Sequence, residues 1–353
     1  MTAQASSDNP MCKSRPYKIN IDLAFLEQTR STVTSFRSTA DIAAPAWFIE
    51  YDWLTEQKRL NEEFNHYITT IPPPGEDYTE SLDIHFIHQR SEKADAIPLL
   101  MSHGFGFSPA PRAPGLNATL HGVVFTNLME QLGYEKFALY STDLGIFIGL
   151  TMVSKYENRI THHFCDMLYV IPNENDLARY IMNQTLKEES QYITSIQAFF
   201  NQHSAYSRIH SSFPLSIAYA LNDSPVGFLA WMYQPLYTVS DIAYTKEDII
   251  KQAFLLYIPG VYGNIRGYKE LFDTSILAPA KTSSVPTSAL QSKIRDNPIF
   301  AYPEIAYFNF APLTWLQRFH NVTNLAHYNE GGHFPAESVP HLVVKEIRAV
   351  YAS

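Results

Sequence analysis

The spacing of apolar positions changes along the chain, and each change marks a different kind of element. After a polar stretch at 1–16, Ile21, Leu23 and Leu26 begin a helical rhythm behind a short extended entry. From 46 to 63, WFIEYDWLTEQKRLNEEF combines aromatics with Glu-to-Lys and Glu-to-Arg spacings, the mark of a helix with one buried face. LDIHFIHQR then alternates with period two and predicts a half-buried strand, while AIPLLMSHG at 96–104 is a short apolar run ending in Gly, as expected of a buried parallel strand. Beyond a turn region rich in Pro and Gly, VVFTNLMEQLGY predicts a helix, KFALYST a strand and IFIGLTMVSKYEN another helix. From about 171 to 296 the period is mostly helical, most strongly in PVGFLAWMYQPL and EDIIKQAFLLYI. NVTNLAHY and SVPHLVVKEIRAVYA close the chain as strand and helix. This order predicts an α/β fold with a mostly parallel central sheet and a helical insertion above it.

Composition narrows the picture. A chain of 353 residues with 46% hydrophobic content has room for one large α/β domain and an inserted lid. The 22 Phe and 22 Tyr decide little, because aromatics both fill cores and line apolar pockets. A formal charge of −9 without any cluster of Lys and Arg argues against a nucleic-acid partner. Cys12 and Cys165 have neither metal-ligand spacing nor the density of a disulfide scaffold, which fits a reducing, cytoplasmic setting. The opening residues lack the apolar core of a signal peptide, and no stretch has the length of a transmembrane anchor. No phosphate loop, dinucleotide fingerprint or metal cluster is present, so no cofactor is expected.

The informative spot is Leu139-Tyr140-Ser141-Thr142-Asp143-Leu144-Gly145, between an apolar strand and an apolar helix. A nucleophile on a strained strand-to-helix turn needs small residues two before and two after it, and Ser141 and Gly145 meet that need. An Asp at the apex can displace at carbon and form an ester, chemistry suited to epoxides or alkyl halides. The same Asp could instead cap the following helix, and the short pattern alone leaves that alternative open. A second constellation shifts the balance: Asn329-Glu330-Gly331-Gly332-His333-Phe334 follows the last strand, where a Gly-Gly-His turn could swing an imidazole over the nucleophile.

With these residues in view, the chain resembles the microsomal-type epoxide hydrolases of the α/β-hydrolase superfamily, fungal members included, from about Arg15 to the C-terminus. YDWLTEQKRLNEEFNHYITTI is similar to the family's lead-in segment, LDIHFIHQRSEKADAIPLL to its approach to a His-Gly oxyanion turn, and LMEQLGYEKFALYSTDLG to its nucleophile region. The resemblance implies a disordered tail at 1–14, an N-terminal epoxide-hydrolase segment at 15–95, a first core part at 96–170, a helical lid at 171–296 and a second core part at 297–353. It also implies that Asp143 attacks an epoxide carbon while Tyr206 and Tyr268 hydrogen-bond the ring oxygen, and that His333 activates the water that releases a vicinal diol. The partner would be a small apolar epoxide. A homodimer is left open.

Two departures from the family pattern stand out. The family places a helix and another strand between its His-Gly turn and a later Pro-Gly-Phe-Gly-Phe-Ser loop, whereas here His103-Gly104 joins Phe105-Gly106-Phe107-Ser108 directly. A parallel crossover needs a dozen or more residues, so one strand and one helix are absent. A lost exon, a degenerate homologue, or replacement by neighbouring segments such as 105–124 would each account for it. The second departure is the acid that should orient His333. Counting back from Pro312-Leu313-Thr314-Trp315 reaches Tyr307, which cannot serve; Glu304 is the nearest carboxylate, and Asn309 is the other candidate. Two further readings stay in view: an epoxide-opening cyclase or isomerase of secondary metabolism, and, on the strength of these departures, a binding homologue with impaired catalysis.

Overall fold

A computed structural model describes residues 14–36, 50–102, 106–241, 244–279, 283–293 and 310–351, apart from the side chains of 237 and 238. Cys12, His103, Gly104, Glu304, Tyr307 and Asn309 lie outside them.

Among the described residues, eight strands form two sheets. The strands β1 (Arg15–Pro16), β2 (His66–Ile71) and β3 (Leu82–Ile87) pair antiparallel in that order. The strands β4 (Leu99–Ser102), β5 (Phe137–Ser141), β6 (Ile160–Cys165), β7 (Thr287–Ser292) and β8 (Val322–Tyr328) run parallel, also in chain order. The expected α/β class with a parallel sheet is what forms. The helix Ala118–Gln131 joins β4 to β5, started by the Asn117 side chain accepting from Leu120 N. The helix Gly145–Lys155 joins β5 to β6 and is buried from Gly145 through Val153, which explains why IFIGLTMV shows no polar face.

Between β6 and β7 stands a helical layer made of Glu174–Ile181, Lys187–Ala198, Ala205–Ser212, Pro214–Asn222, Pro225–Val239, Lys246–Tyr257 and Val261–Leu271. Capping boxes at Asn173 and Thr245 and a proline at the start of Pro225–Val239 mark where three of these begin. The first part of the N-terminal segment packs on this layer: Ile19, Val33 and Trp53 share a core with Phe228, Leu229, Ile250 and Phe254, and Trp53 stacks on Phe254 at 5.5 Å, while Ile71, Tyr78 and Leu82 pack on Val124 and Leu128 of the helix Ala118–Gln131.

β7 falls inside the 171–296 stretch whose rhythm predicts helix. Its sequence, TSALQS, has no apolar run, yet all six residues are buried. Polar side chains are tolerated there because they have partners: Ser288 Oγ meets His162 Nε2 at 2.8 Å, and Gln291 donates to the Leu168 carbonyl at 3.1 Å.

The expected gap is a gap in the sheet. Residues 106–117 contain no strand, so β4 becomes the margin of the parallel sheet, with Leu99 37% and Met101 56% exposed, whereas neighbouring β5 is buried throughout. A parallel strand with helices on both faces is normally buried on each. Across an open cavity of about 1370 Å³ lies β3, which pairs only with β2 among the described strands. Residues 107 and 108 fill a small part of the space: Ser108 Oγ accepts from His85 N at 3.0 Å, and Phe107 meets the His85 ring edge-on at 5.4 Å.

Candidate active site

β5 delivers its last buried residue, Ser141, to a turn in which Asp143 has φ 49°, a left-handed conformation that non-glycine residues avoid. Such strain persists only where the surroundings enforce it. Here the helix Gly145–Lys155 must start against β4: a Cβ on Gly145 would run into the Ser102 carbonyl, so only glycine permits the approach. Below the turn, Ser141 Oγ meets the fully buried His163 Nε2 at 2.7 Å and ties β5 to β6. Asp143 does not cap the helix. The cap position is Leu144, without a side-chain bond, and Asp143 Oδ1 accepts from the adjacent Leu144 N at 2.6 Å.

His333 arrives from the other end of the chain. After β8, Gly331 and Gly332 take φ of 117° and 61°, conformations that glycine adopts without cost. Gly331 N donates to Asp241 Oδ2 at 2.7 Å, and His333 N to the Val239 carbonyl at 2.9 Å. The turn is therefore pinned to the end of the helix Pro225–Val239. It sets His333 Nε2 2.8 Å from Asp143 Oδ2, with the two side chains 14% and 26% exposed. Burial pulls the imidazole pKa down, but the hydrogen bond to Asp143, the Asp143 charge and the Asp166 charge outweigh it, and the pKa lies above the ordinary histidine value.

Two lid tyrosines face this pair. Tyr206, on Ala205–Ser212, and Tyr268, on Val261–Leu271, meet edge to face with ring centres 5.8 Å apart. Burial and then the Asp143 charge raise the Tyr206 pKa; burial, Tyr206 and the Asp143 charge raise that of Tyr268. Both phenols are thus held as neutral O–H donors. The buried His210 ring lies 4.7 Å from Tyr268 and 5.9 Å from Tyr206, and it accepts from the Trp231 indole at 2.9 Å, which stiffens the arrangement from behind.

Asp143, His333, Tyr206 and Tyr268 therefore come together, whereas Glu304 and the His103-Gly104 turn lie outside the described residues. Pro312-Leu313-Thr314-Trp315 forms the start of a short helix, Leu313–Leu316, and has a structural part: the Trp315 indole donates to Glu189 at 3.0 Å beneath the lid.

Sequence reasoning passed over Asp166, which directly follows β6. It is 2% exposed, and its Oδ2 accepts from the Tyr140 hydroxyl at 2.5 Å. Burial pushes its pKa up to about 6, against the opposing pull of Tyr140, Thr142 and His333. The available signal was a lone carboxylate inside the apolar run HHFCDMLYVI. Tyr169, further along that run, is buried and also feels the Asp143 charge. Among the described residues no group of three or more His, Cys, Asp and Glu is arranged to hold a metal ion, and no helix is long and apolar enough to cross a membrane.

Comparison with known proteins adds independent information. A family described as epoxide hydrolase N terminus matches residues 36–110. Juvenile hormone epoxide hydrolase 1 of Ctenocephalides felis is 23% identical over 413 residues, covering 94% of this chain and 84% of that protein. That alignment is longer than the chain itself, so the relative carries stretches with no counterpart here. Among solved structures, the juvenile hormone epoxide hydrolase of Bombyx mori superposes with a TM-score of 0.79 at 18% identity, covering 96% of this chain and 94% of that one. The epoxide hydrolase of Aspergillus niger does so with the same score and identity, covering 95% of each chain.

Proposed function

We propose that this chain, a relative of the epoxide hydrolases of the α/β-hydrolase superfamily, hydrolyses an apolar epoxide to a vicinal diol through an ester on Asp143. The observation that carries the reading is the contact of 2.8 Å between Asp143 Oδ2 and His333 Nε2 at a strained turn, with two neutral phenols near enough to feel the Asp143 charge.

The chemistry runs in two halves. An Asp143 oxygen attacks an epoxide carbon, the carbon–oxygen bond of the ring breaks, and Tyr206 or Tyr268 donates its proton to the departing oxygen, leaving a hydroxy-ester and a tyrosinate. Fixed donors meet the charge as it develops, so little reorganisation is needed. His333 then takes a proton from water, the hydroxide adds to the ester carbonyl, and collapse releases the diol and regenerates the carboxylate. The imidazolium proton returns to the tyrosinate, which closes the cycle. Before the ester forms, the Asp143 charge favours protonated His333. Once the charge is consumed that support is gone, so a proton held by His333 is released to solvent and the neutral imidazole can act as a base.

The large cavity touches Leu144, Gly145 and Ile148 beside the turn but is lined by none of Asp143, His333, Tyr206 and Tyr268, so the apolar epoxide is inferred from the likeness to epoxide hydrolases and not from that lining. The test is turnover of aryl and terpenoid epoxides by the wild-type chain and by Asp143→Ala, with oxygen-labelled water. Label in the diol and an inactive variant are expected; equal turnover by both proteins, or an unlabelled cyclic ether as product, overturns the proposal.

A further inference from the structure

We propose that Asp166 is the positioning carboxylate for His333, supplying the negative charge against which the imidazole gains its proton during ester hydrolysis. The inference rests on the reading of Asp143 as nucleophile.

The backbone sets the placement. β5 and β6 are adjacent parallel strands in which Ser141 pairs with Cys165. Asp166 therefore emerges beside Thr142, one residue before the strained Asp143, at the same end of the sheet. Two of its polar neighbours belong to the nucleophile segment itself, the Tyr140 hydroxyl at 2.5 Å from Oδ2 and Thr142. Thr142 and the Asp166 backbone N–H lie near enough to stabilise the carboxylate, but no partner of the buried Oδ1 reaches hydrogen-bonding geometry among the described residues. A buried carboxylate oxygen left in this state is costly, and sites that keep one usually have a use for it.

The groups within its electrostatic reach are Tyr140 and Thr142 from β5 and the turn, Cys165 from β6, and His333 from the turn after β8. Of these only His333 carries a positive charge in the catalytic cycle. The need for a second carboxylate follows from the chemistry. When Asp143 becomes an ester it loses its charge at the step in which His333 must accept a proton from water. Burial alone would then oppose the imidazolium, whereas a fixed anion in a surrounding of low polarity acts more strongly than it could in water. Asp166 makes and breaks no covalent bond. It keeps its charge while Asp143 does not.

The experiment separates the half-reactions in single turnovers with styrene oxide, following ester on Asp143 by intact mass and diol by chromatography. In Asp166→Asn, ester should form within a few-fold of the wild-type rate and then accumulate, with hydrolysis slowed on the order of 10- to 100-fold. The acid limb of the hydrolysis step should move to lower pH, because the imidazole has lost a supporting charge. Tyr140→Phe keeps the carboxylate but removes the donor that holds its pKa down, so Asp166 gives up charge nearer neutrality and the acid limb should move to lower pH, as in Asp166→Asn but by less, which keeps the proposal testable should Asp166→Asn fold poorly. Glu304→Gln should leave hydrolysis close to wild type. Hydrolysis at wild-type rate in Asp166→Asn, or an unmoved pH limb in Tyr140→Phe, or loss of hydrolysis in Glu304→Gln alone, overturns the assignment. Absence of ester in both wild type and His333→Gln is a different failure: the reading of Asp143 falls, and this inference with it.

Discussion

Tyr206 and Tyr268 come from two different lid helices, yet their rings meet edge to face at 5.8 Å, and both feel the charge of Asp143. Two phenols beside one carboxylate differ in kind from two aromatics filling a core. If each meets the developing alkoxide, Tyr206→Phe and Tyr268→Phe should each slow ester formation by about 10²-fold, with little change in stability. The double variant should leave ester formation undetectable in stopped-flow measurements. Variants that alkylate at the normal rate would reduce the pair to packing.

His333→Gln should separate making the ester from breaking it. Asp143 keeps its turn and its bond to Leu144 N, so alkylation continues, but no base remains to activate water. Incubation with an epoxide should add the mass of one substrate per chain, and peptide mapping should locate it on Asp143. An adduct anywhere else would contradict the assignment.

The His333 pKa lies above its ordinary value in the native protein because Asp143 and Asp166 outweigh burial. A group whose pKa is raised by folding stabilises the native state below its unfolded value, near 6.5, and loses that contribution as pH rises through the native value. Thermal unfolding should therefore show stability declining as pH rises from about 6.5 through the raised native value, and His333→Gln should flatten that part of the curve. A wild-type profile that rises there would reverse the sign and refute the argument.

Gly145→Ala should be poorly tolerated, because the new methyl group meets the Ser102 backbone rather than a movable side chain. Overpacking of this kind costs about 1–3 kcal/mol, and it should also displace Asp143. Urea unfolding together with the alkylation rate measures both effects; wild-type stability and rate would show that the two backbones can separate freely.

Met101→Lys tests the unusual margin of the parallel sheet. In a sheet continued by a further strand this position would be covered on both faces, and a lysine there would be severely disruptive. Here the side chain is 56% exposed, and the substitution should change stability by no more than about 0.5 kcal/mol. A loss of several kcal/mol in urea titrations would mean that Met101 is covered in solution.

Much of this arrangement was legible in the chain because the strongest signals were local. Asp143 sits between small residues at a strand-to-helix junction, and His333 follows paired glycines whose positive φ values match the turn they form. The absent crossover was equally readable, since a parallel connection has a minimum length. What escaped was burial without apolar character. β7 looks like neither strand nor core in sequence, because its hydroxyl and amide groups find partners only once β6 and β8 are alongside. Asp166 escaped for the same reason: nothing local says that Tyr140, a strand away, will hold it, or that the chain's far end brings His333 within range.

The space beside Leu99–Ser102 has a consequence for handling the protein as well as for its chemistry. Two strand margins facing one another across an opening form a template onto which an extended segment of another molecule can add, the first step toward fibrils and precipitates. The loop joining them carries exposed Arg90, Glu92, Lys93 and Asp95, a mixture of signs that discourages such stacking. The solubility ceiling of this chain should be set by that short charged loop, and neutralising it should bring on turbidity well before any loss of folding.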